Sequence, residues 1–256
     1  MLAEEEGTPK YTISGDTLYY EGSIVEWCED PITSITYFTL FIEGQEIKGD
    51  LVIPEGVDTI ATGAFRNCSE LTSVSFPKSL VGVEDEAFFD NGNVRKISTY
   101  SEFYNLNHCF GNIDTLSYLG TIEEWCASPI LDISYKTLFI DEKEIKGSLI
   151  IPEGVDTIAY GAFDRCSLTS VRLPKSINSV EEYSFPSVDT LYYSGSMEKW
   201  CESPIVHLDY SNLVIEDHEV KYDLFIPPVS KIANYAFSRC TLLQNVISQQ
   251  LISALL

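Results

Sequence analysis

The residues best suited to chemistry in this sequence are adjacent carboxylates. They occur beside a phenylalanine at two equivalent places of a repeat, as Asp85-Glu86 and as Glu181-Glu182. Two carboxylates can serve as acid and base in glycoside hydrolysis, so a carboxylate-dependent hydrolase is one hypothesis. Because both pairs recur with the repeat, where a solvated turn is expected, the sequence favours an exposed surface over a catalytic dyad.

Sequence signatures of other reactive sites are absent. There is no Gly-x-Ser-x-Gly, no Gly-x-x-x-x-Gly-Lys-Ser/Thr, no His-Glu-x-x-His and no Asp-x-Asp-x-Asp-Gly loop. The three histidines, His108, His207 and His218, follow no repeat, and no Cys-x-x-Cys occurs. We therefore expect no catalytic residue, no metal site and no cofactor in a protein that is not an enzyme.

The charge balance narrows the class of partner. With 39 acidic and 16 basic residues, the net charge is −23, which repels DNA and RNA. No run of about 18 apolar residues occurs, so no membrane-spanning segment is predicted. Residues 1–9 have neither the basic start nor the apolar stretch of a secretion signal, which leaves a cytosolic protein and a removed signal both open.

The sequence contains seven cysteines, an odd number, and six of them follow the repeat. A cysteine tied to the period of a repeat is typical of a small buried hydrophobic position. Free buried thiols are therefore favoured, and disulfides remain the alternative. The six cysteines follow either a tryptophan (Cys28, Cys126, Cys201) or a phenylalanine (Cys68, Cys166, Cys240).

One long segment occurs three times. Each copy reads Asp-Thr-Leu, then Tyr-x-Gly-Ser/Thr, Trp-Cys and Pro-Ile, with its tryptophan at Trp27, Trp125 or Trp200. We call these segments the tryptophan modules. Their tryptophans lie 98 and then 75 residues apart, a difference of 23. Long sequence repeats predict a stacked array whose units bury their apolar faces against neighbours.

A 23-residue period runs inside the longer repeat. Ile53-Pro54, Ile60 and Ala64-Phe65 return 23 residues later as Phe76-Pro77, Val83 and Ala87-Phe88. Each apolar-x-apolar triplet before the proline predicts a short strand with its two outer residues inward and its middle residue outward. Each Ala-Phe predicts one level of a stacked internal aromatic column, with the phenylalanines Phe65, Phe88, Phe110, Phe163, Phe185 and Phe237. The same pattern recurs at Ile226-Pro227, Ile232, Ala236-Phe237, Leu242 and Val246.

The tryptophan modules predict two additional elements. The short stretch before Trp-Cys follows a serine or threonine, which favours one or two helical turns capped by that residue and anchored by the tryptophan. After each module, two apolar triplets lie only 11 residues apart, as Leu40-x-Ile42 and Leu51-x-Ile53 do. That spacing predicts a β-hairpin between them.

The order Ile-Pro, Val-x-x-Ile, Ala-Phe, Cys and Leu-x-x-Val within residues 53–74 resembles the BspA-type leucine-rich repeat. The Tyr-x-Gly-Ser/Thr-x-x-x-Trp segments resemble spacers between such repeats in bacterial surface proteins. The resemblance implies a mainly β solenoid, a right-handed superhelix of 22- to 23-residue coils with short turns on its outer face and inserted hairpins. It also implies export or surface display and binding of host or bacterial macromolecules, protein or glycan; some relatives are described as adhesins.

For the organisation of the chain, we expect an N-terminal segment at 1–15 and one continuous solenoid over 16–256, with long repeats at 16–113, 114–188 and 189–256. The apolar residues Leu251, Ile252, Leu255 and Leu256 have no visible cap in the sequence. They suggest truncation or end-to-end pairing, so a monomer or a weak end-to-end dimer is expected.

The outward row of strand residues is the candidate binding surface. Near the tryptophan modules this row is apolar, and exposed aromatic patches mark contact sites unless the hairpins cover them. A binding module and a structural spacer that presents another domain are therefore both retained. The candidate contact residues are Tyr19, Phe41, Phe139, Arg172, Tyr192 and Phe225.

Overall fold

The computed structural model describes residues 10–101, 109–205 and 207–248. The chain divides into two compact units, residues 1–119 with 132–136 and residues 120–131 with 137–256. The uncapped apolar residues from Leu251 to Leu256, on which the expectation of end-to-end pairing rests, and the segment before Lys10 lie outside the described residues. The prediction of one continuous solenoid over 16–256 stays a prediction.

The first unit is built from short strands that return to the same sheets once per coil. The strands are β1 Tyr11–Ser14, β2 Thr17–Tyr20, β3 Thr39–Ile42, β4 Gln45–Glu46, β5 Gly49–Val52, β6 Thr59–Ile60, β7 Leu71–Ser75, β8 Gly82–Val83, β9 Lys96–Thr99 and β10 Thr115–Tyr118. The pairs β2–β3, β5–β7, β7–β9 and β9–β10 are parallel and form the main sheets. β6 and β8 form a separate parallel pair, and β1 lies antiparallel to β2.

The second unit repeats this arrangement. Its strands are β11 Thr137–Ile140, β12 Lys143–Glu144, β13 Lys146–Ile150, β14 Thr157–Ile158, β15 Ser167–Leu173, β16 Ser179–Val180, β17 Val188–Tyr193, β18 Tyr210–Ile215, β19 His218–Glu219, β20 Tyr222–Ile226 and β21 Leu243–Ser248. β13, β15, β17 and β18 pair in parallel, as do β20 with β21 and β14 with β16.

The apolar triplets explain this pairing. Equivalent inward residues lie side by side, with Leu51 opposite Val74 and Val74 opposite Ile97, and all three are buried. Because side chains alternate along a strand, the middle residues point away from this core. The fold is a β-solenoid with few helices, which confirms the predicted fold class.

The turns before Phe65, Phe88, Phe163 and Phe185 each place one residue in the left-handed region. Glycine serves there at Gly63 and Gly161, with φ of 73° and 70°, whereas Glu86 and Tyr183 adopt φ of 58° and 57°. Glycine adopts this conformation without strain, and bulkier residues rarely do. The backbone conformation of the turn is therefore the same in these coils, with glycine at the left-handed position in two of them and a larger residue in the other two.

The aromatic column predicted from Ala-Phe is present in each unit. In the first unit, the ring centroids of Phe65 and Phe88 lie 5.1 Å apart, and those of Phe88 and Phe110 lie 4.8 Å apart. In the second unit, Phe163 and Phe185 stack at 5.2 Å. Phe237 is only half-buried.

The last described coil is less buried than the others at its repeat-equivalent apolar residues Ile232, Leu242 and Val246. These side chains are 47%, 49% and 47% exposed. A coil of a solenoid buries its apolar side chains against the coils on both sides. Within the described residues, β21 pairs with β20 alone, so the final coil contacts one neighbour.

Candidate functional site

The short helices predicted in the tryptophan modules are present. They are α1 Ile24–Glu29, α2 Ile122–Ala127 and α3 Met197–Glu202. The side chains of Ser23, Thr121 and Ser196 each accept a hydrogen bond from the backbone three residues on. α1 and α2 have full capping boxes, because Glu26 and Glu124 bond back to the cap residue.

The third helix replaces the capping glutamate with Lys199. Its Nζ atom donates hydrogen bonds to the carbonyl oxygens of Lys175 and Ile177, at 2.9 Å and 2.8 Å. Lys199 also reaches Oδ1 of Asn178 at 3.2 Å. This module is therefore attached to the preceding coil by a charged side chain.

Each tryptophan fixes its helix to the following Ala-Phe turn. The Trp27 Nε1–H group donates to the Ala64 carbonyl oxygen at 2.6 Å, and Trp125 and Trp200 donate to Ala162 and Ala236, both at 2.7 Å. All three indole rings are buried. The helix end is attached as well, since the Cys28, Cys126 and Cys201 carbonyl oxygens accept backbone hydrogen bonds of 2.7 to 2.8 Å from Ala61, Ala159 and Ala233.

The Tyr-x-Gly spacing has a steric cause. The Tyr20 ring packs edge-on against Trp27 with centroids 4.9 Å apart, and it lies directly over Gly22. A Cβ atom at Gly22 would lie 2.6 Å from the Tyr20 ring. In the third module, a Cβ atom at Gly195 would lie 2.4 Å from the Tyr193 hydroxyl oxygen. Only glycine fits beneath these rings.

A hairpin follows each module, as the spacing of the triplets predicts. β4 lies antiparallel to β3, β12 to β11 and β19 to β18. An ion pair between residues two positions apart recurs at the end of each hairpin, formed by Glu46 with Lys48, Glu144 with Lys146 and Glu219 with Lys221.

In the first unit, the outward row begins with a stacked aromatic pair. Tyr19 of β2 lies opposite Phe41 of β3, and their ring centroids are 4.9 Å apart with the planes 25° from parallel. Tyr19 is 38% exposed, while Phe41 is half-buried and lies opposite Glu46 of the hairpin. The hairpin therefore shields one ring of the pair more than the other.

In the second unit, the row is held by a charged side chain. Arg172 of β15 lies opposite Tyr192 of β17, and its guanidinium carbon lies 4.6 Å from the centre of the tyrosine ring. Arg172 also donates to Oδ1 of Asp217 in the hairpin turn, at 3.1 Å. This contact extends from β15 across Tyr192, which leaves Tyr192 half-buried. Phe139 is half-buried opposite Glu144.

The most exposed apolar residues of the row follow the hairpins. Val52, Ile150 and Phe225 occupy equivalent places in β5, β13 and β20 and are 67%, 65% and 68% exposed. Only Phe225 is among the six candidate residues selected from the sequence. Val52 and Ile150 are aliphatic, so a candidate set built on aromatic and charged side chains does not contain them. Their places in the repeat, equivalent to that of Phe225, are the sequence signal for their exposure.

Three carboxylates of the two acidic pairs contact other groups. Glu86 pairs with Arg66 at 3.2 Å, and Glu181 accepts a hydrogen bond from the backbone N–H of Tyr160 at 3.0 Å. Glu182 points to His207 at 3.9 Å. Across residues 10–101, 109–205 and 207–248, no three histidine, cysteine, aspartate or glutamate side chains are grouped as metal ligands would be. Within those ranges, no helix is long and apolar enough to span a bilayer.

All seven cysteines are buried free thiols in the structure. Burial raises the pKa of these groups to about 12 for Cys28, Cys68, Cys126 and Cys166 and to about 11 for Cys109, Cys201 and Cys240. The thiolate is the reactive form, so these side chains are chemically silent in the folded protein near neutral pH.

This burial predicts how the thiols respond to unfolding and to pH. We expect no rapid reaction with a thiol-specific chromogenic disulfide at pH 8 in buffer, and seven reactive thiols in guanidinium chloride.

Thiols of the unfolded chain ionise near pH 8.5, whereas the folded thiols stay protonated. The unfolded state then binds fewer protons, so stability is full below about pH 8.5 and declines above it. Fewer than seven thiols in denaturant without reductant would indicate disulfides.

Comparison with known proteins defines the family. The model of the BspA type leucine rich repeat region matches residues 40–127 and 133–198, in six copies. The chain belongs to this family, as the resemblance in its repeat predicted.

A solved structure, a leucine rich cell surface protein from Faecalibacterium prausnitzii, is similar at 22% sequence identity and a TM-score of 0.25. The alignment covers 84% of this chain and 64% of that protein, so the chain spans less than two thirds of its length. A search of curated protein sequences gave no match.

Proposed function

We propose that this chain is a noncatalytic, adhesin-like binding module of a bacterial cell-surface or secreted protein. Its partner is a host or bacterial surface macromolecule, contacted through the outward row of the main sheets. The observation that carries the proposal is the recurrence of a two-thirds exposed apolar side chain at Val52, Ile150 and Phe225. Exposed apolar side chains on a rigid sheet are typical of protein contact sites.

The surroundings of the row support contact rather than catalysis. Tyr19 and Phe41 are stacked, and Arg172 is held between Tyr192 and Asp217, so these groups are ordered before a partner arrives. Ordered side chains lose little conformational entropy on binding. Of the adjacent carboxylates, Glu86 is engaged in an ion pair with Arg66 at 3.2 Å.

Substitution of the row tests the proposal. Serine variants of Tyr19, Phe41 and Tyr192 are expected to keep the circular dichroism spectrum and to lose about tenfold or more in retention on an array of host-matrix proteins and glycans. The control is Val81→Ser, because Val81 is 79% exposed and precedes β8 of the other sheet. Unfolding of the row variants would place these residues in the core and remove the site.

The alternative is a spacer that presents another domain. A spacer predicts that wild type and row variants are retained equally weakly on every array. A difference between them, with Val81→Ser behaving as wild type, favours the binding module.

A further inference from the structure

The main sheets are interrupted directly after each hairpin. Within the described residues, β5, β13 and β20 each pair with a coil strand on one side only, which is β7, β15 or β21. None of the three pairs with the hairpin strand that precedes it in the chain. We call β5, β13 and β20 the open-edge strands, because one side of each has no neighbouring strand in the described part of the chain.

The outward side chains of the open-edge strands are more exposed than those of the strands beside them. Asp50 and Val52 of β5 are exposed, whereas Ser73 and Ser75, which lie opposite them on β7, are half-buried. The second unit repeats this contrast, with Ser148 and Ile150 of β13 exposed and Ser170 and Arg172 of β15 half-buried. Neighbouring strands on both sides shield the outward side chains of a strand, so the added exposure reflects the missing neighbour.

The three interruptions have a common backbone cause. Gly49, Gly147 and Tyr222 adopt the left-handed region, with φ of 65°, 66° and 54°. Directly after each of these residues, the register of the open-edge strand with its paired strand shifts. Such a bulge bends the strand that contains it, which accounts for the loss of pairing with the preceding hairpin. The open edges are therefore a recurring feature of the repeat.

The usual protection of a sheet edge is not found on the open side. Natural edges are protected by charged side chains or by proline. Here the carboxylates of Asp50 and Asp223 are engaged on the paired side, where they accept hydrogen bonds from Ser73 and Asn245, both at 2.6 Å. The lysines before the open-edge strands pair with glutamates of their own hairpins, as Lys48, Lys146 and Lys221 do. Exposed apolar residues remain near the ends of the open-edge strands, at Val52, Ile150 and Phe225.

We propose that the open edges bind an extended strand of a partner protein, which adds to the main sheet beside β5, β13 and β20. The edge itself identifies this occupant. Its backbone N–H and C=O groups recur at the spacing of a strand, and the backbone of a second strand matches that spacing whereas a sugar ring does not. An apolar side chain of the partner strand would then lie beside Val52. The inference rests on the proposed function and narrows its partner to a polypeptide.

The first test uses a peptide strand as the probe. The capped peptide has the sequence of residues 71–76, which this chain itself pairs with β5. In a titration followed by nuclear magnetic resonance, we expect amide shifts at residues 50–52 and 148–150. Absence of shifts at both places up to the solubility of the peptide would overturn the proposal.

Backbone methylation of the probe separates main-chain recognition from side-chain recognition. Two versions of the peptide carry N-methyl groups on alternate residues, one version for each edge of the peptide strand. The version whose methyl groups face the protein loses its hydrogen bonds and is expected to bind about tenfold or more weakly, while the other binds as the parent does. Parent-like binding by both versions would contradict strand addition.

A variant of the protein provides an internal control. Val52→Lys places a protective charge on the β5 edge at a side chain that is 67% exposed, and it leaves β13 unchanged. The peptide shifts at residues 50–52 should weaken, and those at 148–150 should stay as in wild type. Shifts of wild-type strength at residues 50–52 would contradict the assignment of this edge.

The array of host-matrix proteins and glycans distinguishes this inference from the proposed function. Retention on the matrix proteins is expected to survive enzymatic removal of their glycans, and hydrogen exchange of the bound protein should slow in the open-edge strands. Retention on glycans alone would overturn strand addition and leave the proposed function standing. Peptide shifts without retention on any array would count against the proposed function and not against the open edges.

Discussion

Replacement of Trp27 by alanine is expected to destabilise the protein by about 3 to 5 kcal/mol. The indole ring is fully buried between Tyr20 and Tyr37, and its removal leaves a large cavity. It also removes the donor for the Ala64 carbonyl oxygen, which is otherwise bonded at 2.6 Å. Urea unfolding monitored by circular dichroism measures the loss as a shift of the midpoint.

Two further variants separate the contributions. Trp27→Phe retains most of the buried ring but leaves the Ala64 carbonyl oxygen without its donor, a loss of about 1 to 3 kcal/mol. Phe38→Ala removes an aromatic ring that is 67% exposed, so its free energy of unfolding should stay within about 0.5 kcal/mol of the wild-type value. If Trp27→Ala and Phe38→Ala unfolded at the same urea concentration, the anchoring role of the tryptophan would be wrong.

Gly195→Ala is expected to cost about 1 to 3 kcal/mol, and more if the ring cannot move. The added Cβ atom would lie 2.4 Å from the Tyr193 hydroxyl oxygen and 2.4 Å from Cζ of the ring. Because Tyr193 is buried and packs against Trp200 at 5.3 Å, the ring has no free space into which to turn. Thermal unfolding should show the loss as a lower Tm.

The glycine experiment has an internal control and a rescue. Gly92→Ala introduces the same methyl group where no atom lies within 4 Å, so its Tm should equal that of wild type or exceed it slightly. In a Tyr193→Leu background, the additional cost of Gly195→Ala should shrink, because the clashing ring atoms are gone. An undiminished cost would mean that the ring contact is not the cause.

The sequence predicted the elements of this fold because the repeats carry the constraints. Alternation in the triplets, Ala-Phe at a fixed spacing and serine or threonine before Trp-Cys are each local patterns with a single structural consequence. The indole hydrogen bonds to Ala64 and its equivalents need the spatial alignment of a helix with a turn 37 or 36 residues later. Sequence spacing alone does not give that alignment.

The features specific to one copy were harder to predict. The contact from Arg172 across Tyr192 to Asp217 joins residues up to 45 positions apart and occurs in one module. Exposure of Val246 in the last described coil follows from its number of neighbouring coils, which a repeat pattern does not encode.

The measurement closest to the central claim compares two triple variants that remove similar exposed apolar surface. One carries serine at Val52, Ile150 and Phe225 on the outward row. The other carries serine at Val81, Tyr160 and Tyr235, which are 79%, 52% and 74% exposed and lie outside the strands of the main sheets. A row-specific loss of retention on the host-matrix array, about tenfold or more, is the predicted result. Equal retention of both triple variants and wild type would contradict binding through the row.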